Sequence, residues 1–120
     1  MSTTYKKGDH DTRPWGTWTV LDAGENFCVK RIKVTPHNIL SLQSHEFRSE
    51  HWIIIKGEAI VTLDSEKQLK HMNDHIFIPV HTKHRIQNDT SSDMEFIEIQ
   101  TGETLDENDI IRYEDNYGRI

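Results

Sequence analysis

From Gly16 to Thr101 the chain is a train of short segments, most alternating apolar and polar residues, each closed by a turn signal. "GTWTVLD" alternates, "NFCVKRIKV" carries β-branched and aromatic residues, and "NILSLQ" alternates less cleanly. "KQLKHM", "HIFIP", "HRIQND" and "MEFIEIQT" continue the series, with "DAGEN", "TPHN", "DSEK", "MND", "PVHT" and "NDTSSD" between segments. A period of two sends successive side chains to opposite faces of a strand. Eight or nine such strands at close spacing predict an all-β protein, a sandwich or barrel of two antiparallel sheets. "HWIIIKG" and "EAIVTLD" flank Gly57 and are expected to form a tight hairpin. Only the tail, "TLDENDIIRYEDNYGRI", reads as helical, and briefly, with Asp106 or Asn108 capping a turn that holds Ile110 and Ile111.

Length and charge narrow the function. The 120 residues suit one domain, 1–120, with residues 1–12 loose and 104–120 a tail over the barrel. A net charge of −6 excludes a nucleic-acid backbone as the expected partner, and the basic residues are scattered rather than striped. An anionic ligand therefore has to be small and held by a local cluster. The single cysteine, Cys28, supplies neither an internal disulfide nor a Cys-rich zinc site. No apolar run approaches the roughly 20 residues of a membrane span. "MSTTYKKGDHDTRPWG" has no apolar stretch behind its lysines, so it does not read as a signal peptide. A soluble cytoplasmic protein is the expectation, with no membrane partner.

Polar residues gather at the mouth of the most hydrophobic segment, in "LQSHEFRSEHW". Gln43 and His45 are two apart and leave the same face of an extended chain. Glu50 follows after a stretch long enough for a small turn, and Gly57 ends that strand. Further on, "PVHTKHRIQN" supplies Pro79, His84 and Asn88. Written out, the spacing is Q-x-H-x4-E-x6-G, then P-x4-H-x3-N. This pair of stretches resembles the cupin double motif, whose two halves supply four metal ligands inside a β-barrel. The resemblance implies a cupin, or jelly-roll, barrel and places Gln43, His45, Glu50 and His84 at the ligand positions. His51 is the rival ligand, adjacent to Glu50 but on the opposite strand face.

"RPWG", "VKRI", "LSLQ", "EHW", "PVHTKH" and "RYEDNYGR" are similar to the type II phosphomannose isomerase domain, usually the C-terminal part of a mannose-1-phosphate guanylyltransferase/mannose-6-phosphate isomerase. The likeness runs from Arg13 to Arg119. It implies a metal-dependent enzyme interconverting mannose 6-phosphate and fructose 6-phosphate. These residues hold no counterpart of the Gly-rich nucleotide loop, so the transferase activity is not carried over. Three positions depart from the family. Phe47 replaces a histidine, His81 stands for the glycine after Pro79, and His37 follows Pro36 where a Pro-Gly turn is usual. The two histidines stand where a positive φ is wanted, which His tolerates better than a β-branched residue.

The chemistry is consistent with that resemblance. Two imidazoles, a carboxylate and an amide oxygen make a mixed N/O site for one divalent ion (Zn, Mn, Fe, Co or Ni), with positions left for substrate. An aldose–ketose isomerase also needs a base near both carbons and cations for the phosphate. In "NFCVKRIKV" the parity of Cys28, Ile32 and Val34 turns Lys30 inward, where an unpaired ammonium is costly. Lys30 is a catalytic candidate, or the partner of Glu95 or Glu98 in a buried ion pair. Glu98 shares the face of Phe96 and is a candidate acid/base. The resemblance directs attention to "YGR", making Arg119 the first candidate for a catalytic or phosphate-contacting arginine, with Arg48 and Arg112 as substrate-binding candidates. Tyr113 and Tyr117, four apart, are expected to anchor the tail to the rim. His10, His37, His71 and His75 read as solvated, and Trp15, Trp18 and Trp52 as core. Two readings compete with the isomerase: another cupin sugar isomerase or epimerase, and a non-catalytic sugar-phosphate-binding cupin. A homodimer is expected, because a small barrel leaves edge strands to cover.

Overall fold

The structure, a computed structural model, describes residues 2–120. Its strands are β1 (Ser2–Thr3), β2 (His10–Arg13), β3 (Gly16–Ala23), β4 (Phe27–Val34), β5 (Asn38–Ile39), β6 (Leu42–Ser44) and β7 (Arg48–Lys56). They continue as β8 (Glu58–Leu63), β9 (Glu66–His71), β10 (His75–Ile78), β11 (His84–Asn88), β12 (Met94–Gly102), β13 (Thr104–Leu105) and β14 (Ile111–Glu114). One antiparallel sheet runs β10-β7-β12-β4-β3-β2, the other β14-β6-β11-β8-β9 with β5 also on β11. β1 and β13 form a separate parallel pair. The two-sheet, all-β expectation is met. No helix of the described residues is long and apolar enough to cross a membrane.

Alternation does the sorting. On β4, β7 and β12 every second residue is buried, and the registers line these residues up across the sheet. Ile32, Phe96 and Ile54 form one inward row; Val20, Lys30, Glu98, Trp52 and Ile76 form the next; Cys28, Gln100, Glu50 and Ile78 the third. Val61 and Ile86 face them from the second sheet, both fully buried. An apolar side chain fully buried at such a position contributes about 1.5–3 kcal/mol. The second and third rows give positions of that kind to Lys30, Glu98, Gln100 and Glu50, and burying unpaired charge is costly. The polar rows are therefore the part of the fold that stability alone does not explain.

Two expectations fail. β7 and β8 are not a hairpin: β7 pairs β10 and β12, whereas β8 pairs β9 and β11 in the other sheet. Gly57, at φ 75°, carries the chain across, and a Cβ there would stand 3.1 Å from the Asp93 carbonyl oxygen. Crossing lets the buried residues of both runs meet face to face in one core rather than compete for one sheet face. The tail is not helical either. Asp106 Oδ1 does accept from the Asn108 amide at 2.9 Å, but the turn leads into β14, which adds to the edge of β6. An unpaired strand edge outbids a helix of little more than one turn, whose nucleation is unfavourable.

The termini are tied to the barrel at named points. Tyr5, within the segment read as loose, is 5% exposed. Tyr117 Oη donates to Asn38 Oδ1 at 2.7 Å, and the Tyr113 and Ser44 hydroxyls are 2.9 Å apart. His37 and His81 take φ of 59° and 67°, as the turn positions require.

Candidate metal centre and cleft

Glu50 projects from β7 in one sheet and His84 from β11 in the other; His45 lies in the bend between β6 and β7. All three are buried, and one ligand atom from each lies within 4.8 Å of the others. His45 Nε2 is 3.2 Å from Glu50 Oε2, and His84 Nε2 is 3.9 Å from Oε1. Gln43 is the register partner of His84, so its side chain leaves the same face of the second sheet. Its Nε2 donates to Ser41 Oγ at 2.9 Å, which leaves the amide oxygen as the atom that suits a cation.

The hydrogen bonds behind the imidazoles set their chemistry. His45 Nδ1 is 2.6 Å from the Asp109 carbonyl oxygen, and His84 Nδ1 is 2.9 Å from that of Thr82. A carbonyl only accepts, so each Nδ1 carries a hydrogen, and in a neutral ring the lone pair is then on Nε2. Both Nε2 atoms lie beside the Glu50 carboxylate. Burial lowers the His45 pKa to about 3, with the Arg48 and His84 charges adding to it, so the ring stays neutral. Burial pushes the Glu50 carboxyl up, but the Arg48 guanidinium outweighs it and holds the group at about 2. The neutral His45 ring, the His84 ring and the ionised Glu50 carboxylate together offer the kind of N/O donor set that suits a divalent ion. Donors sharing one ion at about 2.1 Å each stand roughly 3–3.5 Å apart; His45 and Glu50 are already at 3.2 Å, and His84 at 3.9 Å needs a small inward shift. The residues fit a metal ion.

Arg48 closes one side of this cluster. Its Nε donates to Glu50 Oε2 at 2.8 Å, its Nη1 to the Asp106 carbonyl at 3.4 Å, and its Nη2 stands 3.4 Å from His45 Nε2. Trp52 bridges to the next carboxylate: its Nε1–H is shared between Glu50 Oε1 at 2.9 Å and Glu98 Oε1 at 3.2 Å. Gln100 Nε2 donates to Glu98 Oε2 at 2.9 Å. Burial, with the Glu50 charge and hydrogen bond added, raises the Glu98 carboxyl to about 7 despite the pull of Lys30 and Arg48.

Lys30 is the register partner of Glu98. The ion pair expected for it with Glu95 or Glu98 is not formed among the described residues: Glu95 lies against Arg31 and Lys56, and Glu98 accepts from Trp52 and Gln100. Lys30 Nζ instead sits 4.1 Å from the Tyr5 ring centroid and 4.2 Å from that of Trp18, a cation–π contact on both sides. Burial lowers its pKa, opposed by Glu98. Lys30, Gln43, Arg48, Glu98, Arg112 and Arg119 all line one cleft of about 100 Å³.

The arginines differ in their engagements. Arg119 grips Asp115 with Nε and Nη2, each at 2.8 Å, and these hydrogen bonds hold the Asp115 carboxyl at about 2. Arg112, the register partner of Gln43 on β14, makes no ion pair among the described residues, and its buried Nε has no partner. His51 is on the outer face, 2.9 Å from His75, and does not join the cluster. The four histidines read as solvated are all exposed, and the three tryptophans are core.

Sequence reading missed Asp109, Tyr5 and the Trp52 bridge. The bridge had a signal: Arg48, Glu50 and Trp52 share one strand parity, as do Glu98 and Gln100. Nothing in the sequence pointed to Asp109, which reaches the ligand loop from a distant connection.

Two antiparallel sheets closed face to face over a buried His–Glu cluster define a cupin barrel. KdgF from Halomonas superposes with a TM-score of 0.72 at 18% identity, over 77% of this chain and 84% of that one. A cupin-superfamily sugar phosphate isomerase from Silicibacter pomeroyi superposes with a TM-score of 0.64 at 18% identity, over 71% and 58%. At these identities the likeness is one of fold. Sequence is more specific. The family profile described as "Mannose-6-phosphate isomerase C-terminal" matches residues 2–115. Mannose-1-phosphate guanylyltransferase ManC of Salmonella typhimurium is 43% identical over 90% of this chain, and xanthan biosynthesis protein XanB of Xanthomonas campestris 47% over 89%. The chain belongs to the mannose-6-phosphate isomerase C-terminal family. It spans 22% and 23% of the length of those two relatives.

Proposed function

We propose that the chain holds one divalent ion with Gln43, His45, Glu50 and His84 and interconverts mannose 6-phosphate and fructose 6-phosphate. The observation that carries this reading is the coupling of two unlike buried sites. One is the His45–Glu50–His84 donor cluster; the other is Glu98, poised near neutrality and linked to the cluster by the Trp52 indole. When bound, the ion would polarise the adjacent carbonyl and hydroxyl oxygens of the sugar. The chain supplies the rest. Glu98 takes the proton from C2 of the aldose, giving an enediol, and returns it to C1 while the hydroxyl proton passes from O2 to O1. A carboxyl with a pKa near the working pH exists in both forms and suits both halves of that transfer. Lys30, lining the same cleft, supplies positive charge to the enediolate oxygen. Arg112 takes the phosphate, since among the described residues its guanidinium pairs with no carboxylate and its buried Nε has no partner. Arg119, committed to Asp115, shapes the tail beside it.

A second reading has its own observation. The Arg48 guanidinium already lies against Glu50 and His45 Nε2, where it supplies the positive charge that an ion would bring. A non-catalytic sugar-phosphate-binding protein follows if Arg48 does not yield. A coupled assay of metal-loaded protein with mannose 6-phosphate, beside glucose 6-phosphate, separates the two. Turnover of the mannose ester supports the isomerase. Binding without turnover at any metal loading supports the second reading, and neither binding nor turnover sinks both.

A further inference from the structure

We propose that Asp109 is a positioning residue for the metal site, setting the His45 tautomer and the shape of the loop that carries it. The inference rests on the metal reading above. Asp109 lies between β13 and β14, far from the ligands in sequence, yet it makes three contacts with their loop. Its carbonyl oxygen accepts from His45 Nδ1 at 2.6 Å, and its carboxylate oxygens accept from the Glu46 amide at 2.9 Å and the Phe47 amide at 3.0 Å. The two carboxylate contacts are charge-assisted bonds to backbone N–H groups that the bend between β6 and β7 otherwise leaves to solvent. They clamp residues 46–47, which join His45 to Arg48 and Glu50. The carbonyl contact then forces hydrogen onto Nδ1 and leaves Nε2 as the donor.

The clamp is itself held in place. The Asp109 amide donates to the Asp106 carbonyl at 3.0 Å, and the same carbonyl accepts from Arg48 Nη1. Three residues on, Arg112 faces Gln43 across the β14–β6 pairing. The connection from Asp106 to Arg112 therefore touches both the ligand loop and the cleft, and Asp109 is where it grips His45.

The test compares Asp109→Ala and Asp109→Asn with wild type and with Asn108→Ala, whose side chain makes no hydrogen bond among the described residues. Metal affinity is read by chelator competition, and the His45 tautomer by long-range proton–nitrogen correlation in metal-free protein. Outer hydrogen-bond partners of metal-binding histidines are worth roughly 10- to 100-fold in affinity, and Asp109→Ala keeps the carbonyl but frees it to move, so a loss of about 10-fold is expected. A smaller loss is expected for Asp109→Asn, which keeps one acceptor oxygen, and none for Asn108→Ala. Both variants keep the backbone carbonyl and lose carboxylate contacts that hold it against the loop, so the carbonyl should drift from Nδ1. The Nε2–H tautomer that wild type lacks should then appear, more in Asp109→Ala than in Asp109→Asn. Unchanged affinity with the Nδ1–H tautomer intact in Asp109→Ala would overturn the proposal. Should that variant fail to fold, Asp109→Asn decides on the same two readouts. Wild type that binds no metal would refute the proposed function, while the tautomer comparison would still decide the role of Asp109.

Discussion

Glu98→Gln removes a carboxylate that the folded chain keeps protonated to higher pH than the unfolded chain does. Burial and the Glu50 charge raise it from 4.5 to about 7. Between those values the folded state binds the extra proton, so stability falls as pH rises through the window. The loss is complete above about pH 7. At about 1.4 kcal/mol per unit, this cost to the metal-free protein is about 3 kcal/mol at pH 8 and absent below pH 4.5. The glutamine variant does not pay it. The site can accept an amide there: Gln100 Oε1 is buried without a partner among the described residues, so turning the Gln100 amide satisfies a new N–H at position 98. Thermal melts of metal-free protein at pH 5 and pH 8 read the effect. Wild type should lose stability between the two, whereas Glu98→Gln should lose much less and melt higher than wild type at pH 8. Its isomerase turnover should fall by roughly 10²–10⁴, the usual contribution of a general base. Equal pH slopes, or a variant less stable than wild type at pH 8, would refute the account of Glu98.

Other residues make separate claims. Arg112→Ala should raise KM for mannose 6-phosphate by about 10-fold or more, the worth of one hydrogen bond to a charged group, with metal content unchanged by elemental analysis. Arg119→Lys, which cannot reproduce the two-pronged contact with Asp115, should lower the melting temperature more than it alters KM. His81→Val, at φ 67°, should destabilise by about 1–2 kcal/mol in denaturant titration, because a β-branched side chain resists that conformation. Ile53 and Phe77 stand 37% and 47% exposed on the outer face of the first sheet. Light scattering should report a dimer for wild type and a monomer for Ile53→Lys, and a wild-type monomer across micromolar concentrations would remove that claim.

Strands were legible because each alternates on its own, and the parity that turned Lys30 and Glu98 inward needed no tertiary information. The spacing from Gln43 to Glu50 and from Pro79 to Asn88 likewise brought His45, Glu50 and His84 together. What alternation does not encode is which edge a strand pairs with. A glycine between two apolar runs looks the same whether the chain turns back or crosses to the facing sheet, and Gly57 crosses. Ile110 and Ile111 suit a helical turn or a strand equally, and the free edge of β6 decided for the strand. Charged partners were the other hidden layer. Arg48 read as a phosphate ligand and sits on Glu50, while Arg119 read as the leading arginine and sits on Asp115. Both engagements depend on pairings made only once the chain is folded.

Metal dependence of mannose 6-phosphate turnover tests the central claim most directly. Protein stripped with a chelator should be folded and inactive, and adding back a divalent ion should restore turnover until one ion is bound per chain. Glu50→Gln should fail to recover in the same titration. Turnover that survives complete stripping, or a chain that binds its ion yet leaves mannose 6-phosphate unchanged, would contradict the account.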